Sequence, residues 1–393
     1  MKLLHTADWH IGKQLNEFDL LDVQQDAFKQ IEAIAAAEQV DGIIIAGDLY
    51  DRAIPSTAAV KAFDQMLQQL NITDKYPIYA ISGNHDGATR LNFAREWMKQ
   101  NDLHLNTKVE EAFTDNVVVG DVQIFMLPFF DPQDARMYYQ ISIDSNEMRT
   151  IEQAMTRVVA DLEQQFEPGK RHILVTHFNV QGTDNENYEL TSETTSTVGG
   201  LNTVPARLFK NFDYVALGHL HLRQASPTRT VRYSGSPVKF NTKEAKNEKG
   251  VYIIDIPTTG EIGITWKTIT PSKDLIVLRG DFEKLIDRDF YSEQPKPGEA
   301  FYSIQLTSRP AGKNIRKQLE DIYGDIVELE YHIQGDETQA ATEQLAQRVA
   351  KTKSPEEIIG DFYNEMMDPA QLTEQQQKWV EAALIDIRKD SEA

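Results

Sequence analysis

No cysteine occurs among the 393 residues. That excludes disulfides, thiolate zinc sites and a cysteine nucleophile, and it fits a reducing cytoplasm. No apolar run approaches the roughly 20 residues that a membrane-spanning helix needs. The first aspartate, Asp8, arrives too soon for the apolar core of a signal peptide. A soluble, cytoplasmic protein without membrane association is expected. The Gly-x-x-x-x-Gly-Lys-Ser/Thr phosphate loop is missing as well, so any dependence on ATP has to come from a partner. Positive charge is scarce: 40 Lys and Arg stand against 61 Asp and Glu, a net charge of −21. Such a balance argues against a nucleic-acid partner unless the cations are clustered.

They are clustered. Residues 201–250 hold nine bases (Arg207, Lys210, Arg223, Arg229, Arg232, Lys239, Lys243, Lys246, Lys249) against three acids (Asp213, Glu244, Glu248). The same window contains Gly218-His219-Leu220-His221. A solvated basic surface is the plain reading of such a stretch. Beside a metal site it becomes a phosphate-facing patch, and Lys239, Lys243, Lys246 and Lys249 are its candidate contacts.

What the sequence has in abundance is one recurrence. Five short apolar runs, at residues 2–7, 42–47, 77–83, 172–176 and 214–218, are each followed by a side chain able to bind metal. These are Asp8 and His10, Asp48, Asn84, His177, and His219 with His221. The runs are rich in Val, Ile, Leu and Ala and bounded by polar or turn residues, the pattern of buried strands. Groups that follow the strands of one sheet converge on one rim, where open α/β sheets place their sites. Helical spacing appears between the runs: Phe28, Ile31, Ile34 and Ala35 within 22–39, and Val60, Phe63, Leu67 and Leu70 within 56–70. An α/β fold with a helix-covered sheet follows. Further strands are expected over 117–125, 251–256 and 262–269, a helix over 151–166, and a Ser/Thr/Gly-rich loop over 192–200.

At this length the chain exceeds one ordinary core, and the pattern changes at Pro271. Strand-like 275–279, 300–307 and 326–333 enclose helix-like 282–287 and 314–323 without a ligand motif. Three parts are expected: 1–270 carrying the chemistry, 271–335 as a small α+β domain shaping access, and a helical tail from 336 to 393. Ser354-Pro355-Glu356-Glu357 starts one tail helix, and Thr373-Glu374-Gln375-Gln376 is a capping box opening another. The stripes Ile358, Ile359, Phe362, Met366 and Trp379, Val380, Ala383, Leu384, Ile387 either pack on the body or dock on a partner helix.

Asp, His and Asn offer oxygen and imidazole donors but no sulfur, which favours Mn²⁺, Fe²⁺ or Mg²⁺ over structural zinc. Two ions need a shared ligand, and Asp48 is the candidate. Such ions, roughly 3.5–4 Å apart, deprotonate water and clamp both oxygens of a phosphoryl displacement. Hydrolysis of a phosphate ester is the expected chemistry.

Asp8-Trp9-His10, Gly47-Asp48-Leu49-Tyr50-Asp51-Arg52, Gly83-Asn84-His85-Asp86 and Gly218-His219-Leu220-His221, in this order, resemble the calcineurin-like metallophosphoesterases. Within them the pattern is most similar to the SbcD family of nuclease subunits, over nearly the whole chain. The resemblance implies a β-sandwich flanked by helices, with a capping domain and C-terminal helices. It implies two metal ions, Mn²⁺ preferred with Mg²⁺ or Fe²⁺ as alternatives. One would be held by Asp8, His10, Asp48 and His221, the other by Asp48, Asn84, His177 and His219. His85 would contact the scissile phosphate and assist the leaving oxygen, Asp86 would orient His85, and Arg52 would touch phosphate or pair with Asp51. The implied activity is 3′ to 5′ exonuclease on double strands and endonuclease on single strands and hairpins, serving DNA repair, recombination and replication. The implied partners are DNA and a coiled-coil SbcC-type ATPase docked on the tail helices. A homodimer through the helices around 56–70 and 89–100, within a heterotetramer, is implied as well. A phosphatase acting on phosphomonoesters is the alternative, and a non-catalytic scaffold would require a dead metal site. His5, His104, His172 and His332 read as structural, and Trp9 as packing.

Overall fold

The computed structural model describes residues 1–332 apart from 143, 186–202, 311 and 313, together with 373, 375, 376 and 379. Two compact units divide the chain, Met1–Gln305 with Pro310–Glu330, and Leu306–Arg309 with Tyr331–Ala393. The expected loop over 192–200 and most of the tail lie outside the described residues. At the expected capping box, the Gln376 amide donates to Thr373 Oγ1 (3.4 Å) and the Thr373 amide to Gln376 Oε1 (2.9 Å).

In the first unit, all five apolar runs form strands. These are β1 (Lys2–Thr6), β2 (Gly42–Ala46), β3 (Ile78–Ile81), β7 (Arg171–His177) and β8 (Tyr214–Gly218). With β4 (Leu103–Asn106), β10 (Lys249–Asp255) and β11 (Gly263–Ile269), the first three build a six-stranded sheet, ordered β11-β10-β1-β2-β3-β4. A five-stranded sheet follows the order β9-β8-β7-β6-β5, where β5 is Val117–Val119, β6 Val122–Leu127 and β9 Val231–Tyr233. The pairs β1–β2, β2–β3 and β7–β8 are parallel, so within each sheet the ligand-bearing ends point the same way.

Continuous apolar runs suit strands buried on both faces. In β2, Ile44 and Ala46 face the second sheet's Ile124, Val175 and Ala216, while Ile43 and Ile45 pack with Ala27, Ile31 and Phe63 of the covering helices. Those helices are α1 (Leu21–Glu38) and α2 (Thr57–Leu67), the latter capped by Ser56, whose hydroxyl accepts from the Ala59 amide. The outer face of the second sheet is covered by Ile151–Glu163, which starts with a Thr150/Gln153 capping box. The architecture is thus a β-sandwich flanked by helices. One expected strand divides: 117–125 is a hairpin, because Gly120 (φ +56°) turns the chain between β5 and β6. The later segments form a three-stranded sheet of β12 (Asp274–Gly280), β13 (Ala300–Leu306) and β14 (Ile326–Tyr331). From it Leu275, Phe301 and Val327 join the apolar cluster beneath α1.

Candidate metal centre

Each proposed ligand lies at or just beyond a strand end. Past β1 and β2 the chains stay paired, the Asp8 amide donating to Gly47 O (3.0 Å) and the His10 amide to Asp48 O (2.9 Å). Asp8 (φ 53°), His10 (φ 43°), Asp48 (φ 51°) and His219 (φ 97°) all adopt positive φ without being glycine. Such conformations cost about 1–3 kcal/mol each and cluster where the surrounding structure holds them for use. At the same rim the sheets pinch together. A Cβ added to Gly218 would fall 1.9 Å from Ala46 O and 2.6 Å from His177 Nδ1, so only glycine fits there.

The seven side chains gather into two overlapping clusters, and Asp8 reaches both: its ligand atoms lie within 4.8 Å of those of His10 and His221, and of those of Asp48 and His177. In one, His10 Nε2 lies 3.0 Å from His221 Nε2 and 3.4 Å from Asp48 Oδ2, and ligand atoms of Asp8, His10 and His221 fall within 4.8 Å of one another. In the other, Asn84 Oδ1 lies 3.1 Å from His177 Nε2 and 3.0 Å from His219 Nδ1, while His177 Nε2 is 3.3 Å from Asp48 Oδ2. Asp8, His10, Asp48, His177 and His221 are buried.

The donors fit a cation. His177 Nδ1 donates to Ala46 O (2.8 Å) and His221 Nδ1 to Glu244 Oε1 (3.2 Å), since these oxygens only accept. Both rings therefore turn a bare Nε2 toward other acceptors, an arrangement that requires a proton or a metal between them. Asp8 Oδ1 accepts from the His219 amide (2.8 Å), and Asp8 Oδ2 is buried without a hydrogen-bond partner among the described residues. Burial and the charge of Asp48 push the Asp8 carboxyl up to about 6 against the imidazoles of His177 and His221. Burial acts upward on Asp48 too, but His177 and His10 outweigh it and hold that carboxyl well below the usual range. His177 responds in kind. Burial lowers it, yet Asp48 and then Asp8 raise it to about 9.

The calcineurin-like phosphoesterase family matches residues 1–223, and a second family, described as the type 5 capsule protein repressor C-terminal domain, matches 271–367. The chain belongs to the calcineurin-like phosphoesterases. Among its relatives, a Staphylococcus epidermidis protein named as the SbcD subunit of the SbcCD nuclease is 32% identical over 94% of both chains. A Staphylococcus saprophyticus protein of the same name is 29% identical over 96% of both. Family and donor set together make this a divalent-metal centre.

In this phosphoesterase His85 stands beside His10, and ligand atoms of His10, Asp51 and His85 fall within 4.8 Å of one another. Its ring meets His10 edge to face at 4.7 Å, and its Nδ1 donates to the backbone oxygen of Asp51 (2.8 Å). Asp86 does not orient it, contrary to expectation. The Asp86 carboxylate accepts from the amides of Leu49 (3.0 Å), Tyr50 (2.9 Å) and Gly83 (2.9 Å), because the turn after Gly83 points it back at the loop following Asp48. Asp86 is thus a clamp between the two ligand loops. Burial and the nearby Asp48 push it up to about 7 against those three amides. Asp51 spends its carboxylate on Lys13 (3.0 Å) and Arg52 (3.3 Å). Trp9 packs as expected, donating to Thr6 Oγ1 with its edge on Phe28 and Phe63.

The basic patch needs correction. Lys249 is buried, pairs with Glu244 and donates to His221 O and Ser236 Oγ, so it faces no solvent. Lys239 is only 11% exposed and is held by Asp274 and by Ala245 O. Lys249 opens β10 and reaches the turn after β8, while Lys239 meets Asp274 at the start of β12, so burial at both is set by long-range packing. Lys243, Lys246 and Arg52 are exposed. The residue missed outright is Glu244, which the sequence offers as one more surface acid.

Proposed function

We propose that the chain is the nuclease subunit of an SbcCD-type complex, hydrolysing phosphodiester bonds of DNA with Mn²⁺. It acts as a 3′ to 5′ exonuclease on double strands and an endonuclease on single strands and hairpins, in DNA repair, recombination and replication. The observation that carries this is the gathering of six further ligand side chains with Asp48 at one rim, in a chain related along nearly all its length to proteins named as nuclease subunits. Asp8, His10, Asp48 and His221 would hold one ion, and Asp48, Asn84, His177 and His219 the other. Bound there, the pair supplies a hydroxide at neutral pH and neutralises charge on the reacting phosphate.

The chain's own groups do the rest. His85, its Nδ1 committed to Asp51 O, keeps Nε2 for the phosphate, and a proton carried on Nε2 would pass from there to the departing 3′ or 5′ oxygen. Asp86 keeps the Asn84–His85 turn in register with Asp48 through three amides. Arg52, Lys243 and Lys246 are left for DNA phosphates.

Residues 1–270 form the nuclease part, 271–335 limit access, and 336–393 dock an SbcC-type ATPase. Exposed Phe93 (77%), Trp97 (75%) and Val60 favour a homodimer through helices 56–70 and 89–100 within a heterotetramer. The test is to purify the chain with and without that ATPase and assay linear, hairpin and circular DNA beside a phosphomonoester. Mn²⁺-dependent cutting of DNA is expected, and turnover confined to the monoester overturns the proposal.

A further inference from the structure

One loop holds His221 from several sides. The His221 carbonyl accepts from Lys249 Nζ (2.9 Å) and from the Ser236 amide (3.4 Å). Its ring lies edge-on to Phe240 at 5.3 Å, and its Nδ1 meets Glu244 Oε1 at 3.2 Å. Gly235 lets the loop come this close, because a Cβ there would sit 2.7 Å from the same carbonyl. Glu244 is tied down in turn by Asn241 Nδ2 (2.6 Å) and by the ammonium of Lys249. Glu244 and Ser236 are wholly buried, and Lys249 nearly so.

A buried ion pair is a weak device for stability, since desolvation offsets most of its attraction. This one ends on a ring whose far nitrogen faces the ligands. We infer that Glu244 is a positioning residue for the metal centre, fixing which nitrogen of His221 faces the ion, with Lys249 fixing Glu244 and the His221 backbone together. The inference rests on the metal-centre reading above. An ionised carboxylate only accepts, so His221 carries its proton on Nδ1 and turns the Nε2 lone pair toward His10 Nε2, within reach of Asp8. His177 receives the same service from a backbone carbonyl, Ala46 O. These two imidazoles, which both reach Asp8, are therefore oriented by chemically different groups, and only one of these can be removed by mutation. Loss of Glu244 should then weaken one ion and spare the other.

The experiment is a Mn²⁺ titration of the full chain, followed by the electron paramagnetic resonance of free Mn²⁺, with folding checked by circular dichroism. The wild-type chain is expected to take up two ions. Glu244→Ala and Lys249→Met should each keep one ion at wild-type affinity and weaken the other by about 10–100-fold, the usual effect of losing a group that orients a metal-bound histidine. Glu244→Gln preserves size and an acceptor while removing charge, and about a tenfold loss at one site is expected. It decides the matter should Glu244→Ala not fold. A folded Glu244→Gln that holds both ions as tightly as wild type, or that loses both alike, overturns the inference. A wild-type chain that binds no Mn²⁺ overturns the metal-centre reading itself, and this inference with it.

Discussion

Gly218→Ala adds one methyl group at the place where the two sheets come closest, and its consequences can be worked from distances. Face-to-face sheets ordinarily pack about 10 Å apart. Here the new Cβ would lie 1.9 Å from Ala46 O and 2.6 Å from His177 Nδ1, whereas ordinary contact begins at 3.4 Å. The nearest contact is backbone, which cannot swing aside as a side chain can, so β8 must withdraw from β2 by about 1.5 Å, the shortfall from ordinary contact. Overpacking of this kind costs about 1–3 kcal/mol. The methyl also presses on the His177 ring and breaks its Nδ1 bond to Ala46 O, and stranding that buried donor costs about 1–3 kcal/mol more. A loss of about 2–6 kcal/mol is expected, a large part of the ~5–15 kcal/mol that keeps a domain folded. His177 and His219 flank the methyl, so any folded fraction should also bind Mn²⁺ poorly and cleave at least about 100-fold more slowly. Urea denaturation and Mn²⁺ titration measure both effects. The control is Gly169→Ala, at φ +78° with no atom within 4 Å, where only backbone strain of about 1–2 kcal/mol enters. Gly218→Ala with stability and Mn²⁺ affinity no worse than this control would refute the crowding argument.

Other expectations concern single groups. His85→Ala should take up Mn²⁺ as the wild type does yet lose cleavage by about 10²–10⁴-fold, measured by parallel titration and nuclease assay; loss of metal would make His85 a ligand instead of a phosphate contact. Charge reversal of the exposed Lys243 and Lys246 should weaken DNA binding across all sequences and lower the salt dependence by about 0.9 in slope for each phosphate no longer neutralised. Unchanged binding at low salt would remove the patch from the DNA path. His5, buried against Tyr214 (2.9 Å) and Leu217 O, is lowered to about 3 by burial. The unfolded chain protonates this imidazole below pH ~6.5 and the folded one does not, so its contribution is complete above ~6.5 and declines by about 1.4 kcal/mol per unit as pH falls toward 3. His5→Gln should remove that increment, narrowing the wild-type advantage between pH 7 and 5 by roughly 2 kcal/mol in urea titrations; parallel pH profiles would show that His5 titrates normally. Deleting residues 336–393 should leave a Mn²⁺-dependent nuclease that no longer co-purifies with its ATPase, and retained co-purification would move the dock elsewhere.

The five strands and their terminal ligands were legible in the residue order alone. A strand buried on both faces has to be apolar throughout, as in Ile43–Ile44–Ile45, and Asp, His or Asn immediately after such a run stands out against it. The division of the ligands into two sets sharing Asp48 came only through the family pattern; the distances bring His10 and His177 to the same Asp48 oxygen, while Asp8 reaches both His221 and His177. Other features depended on tertiary structure because they pair distant or oppositely turned groups. Asp86 neighbours His85 in sequence, yet the turn sends its carboxylate to amides at positions 49, 50 and 83. Glu244 and Lys249 look like solvated charges in a basic stretch until the loop folds over His221 and buries them. Residue type records what a side chain can do; whether Lys249 meets water or a carboxylate is decided by packing between segments the sequence keeps apart.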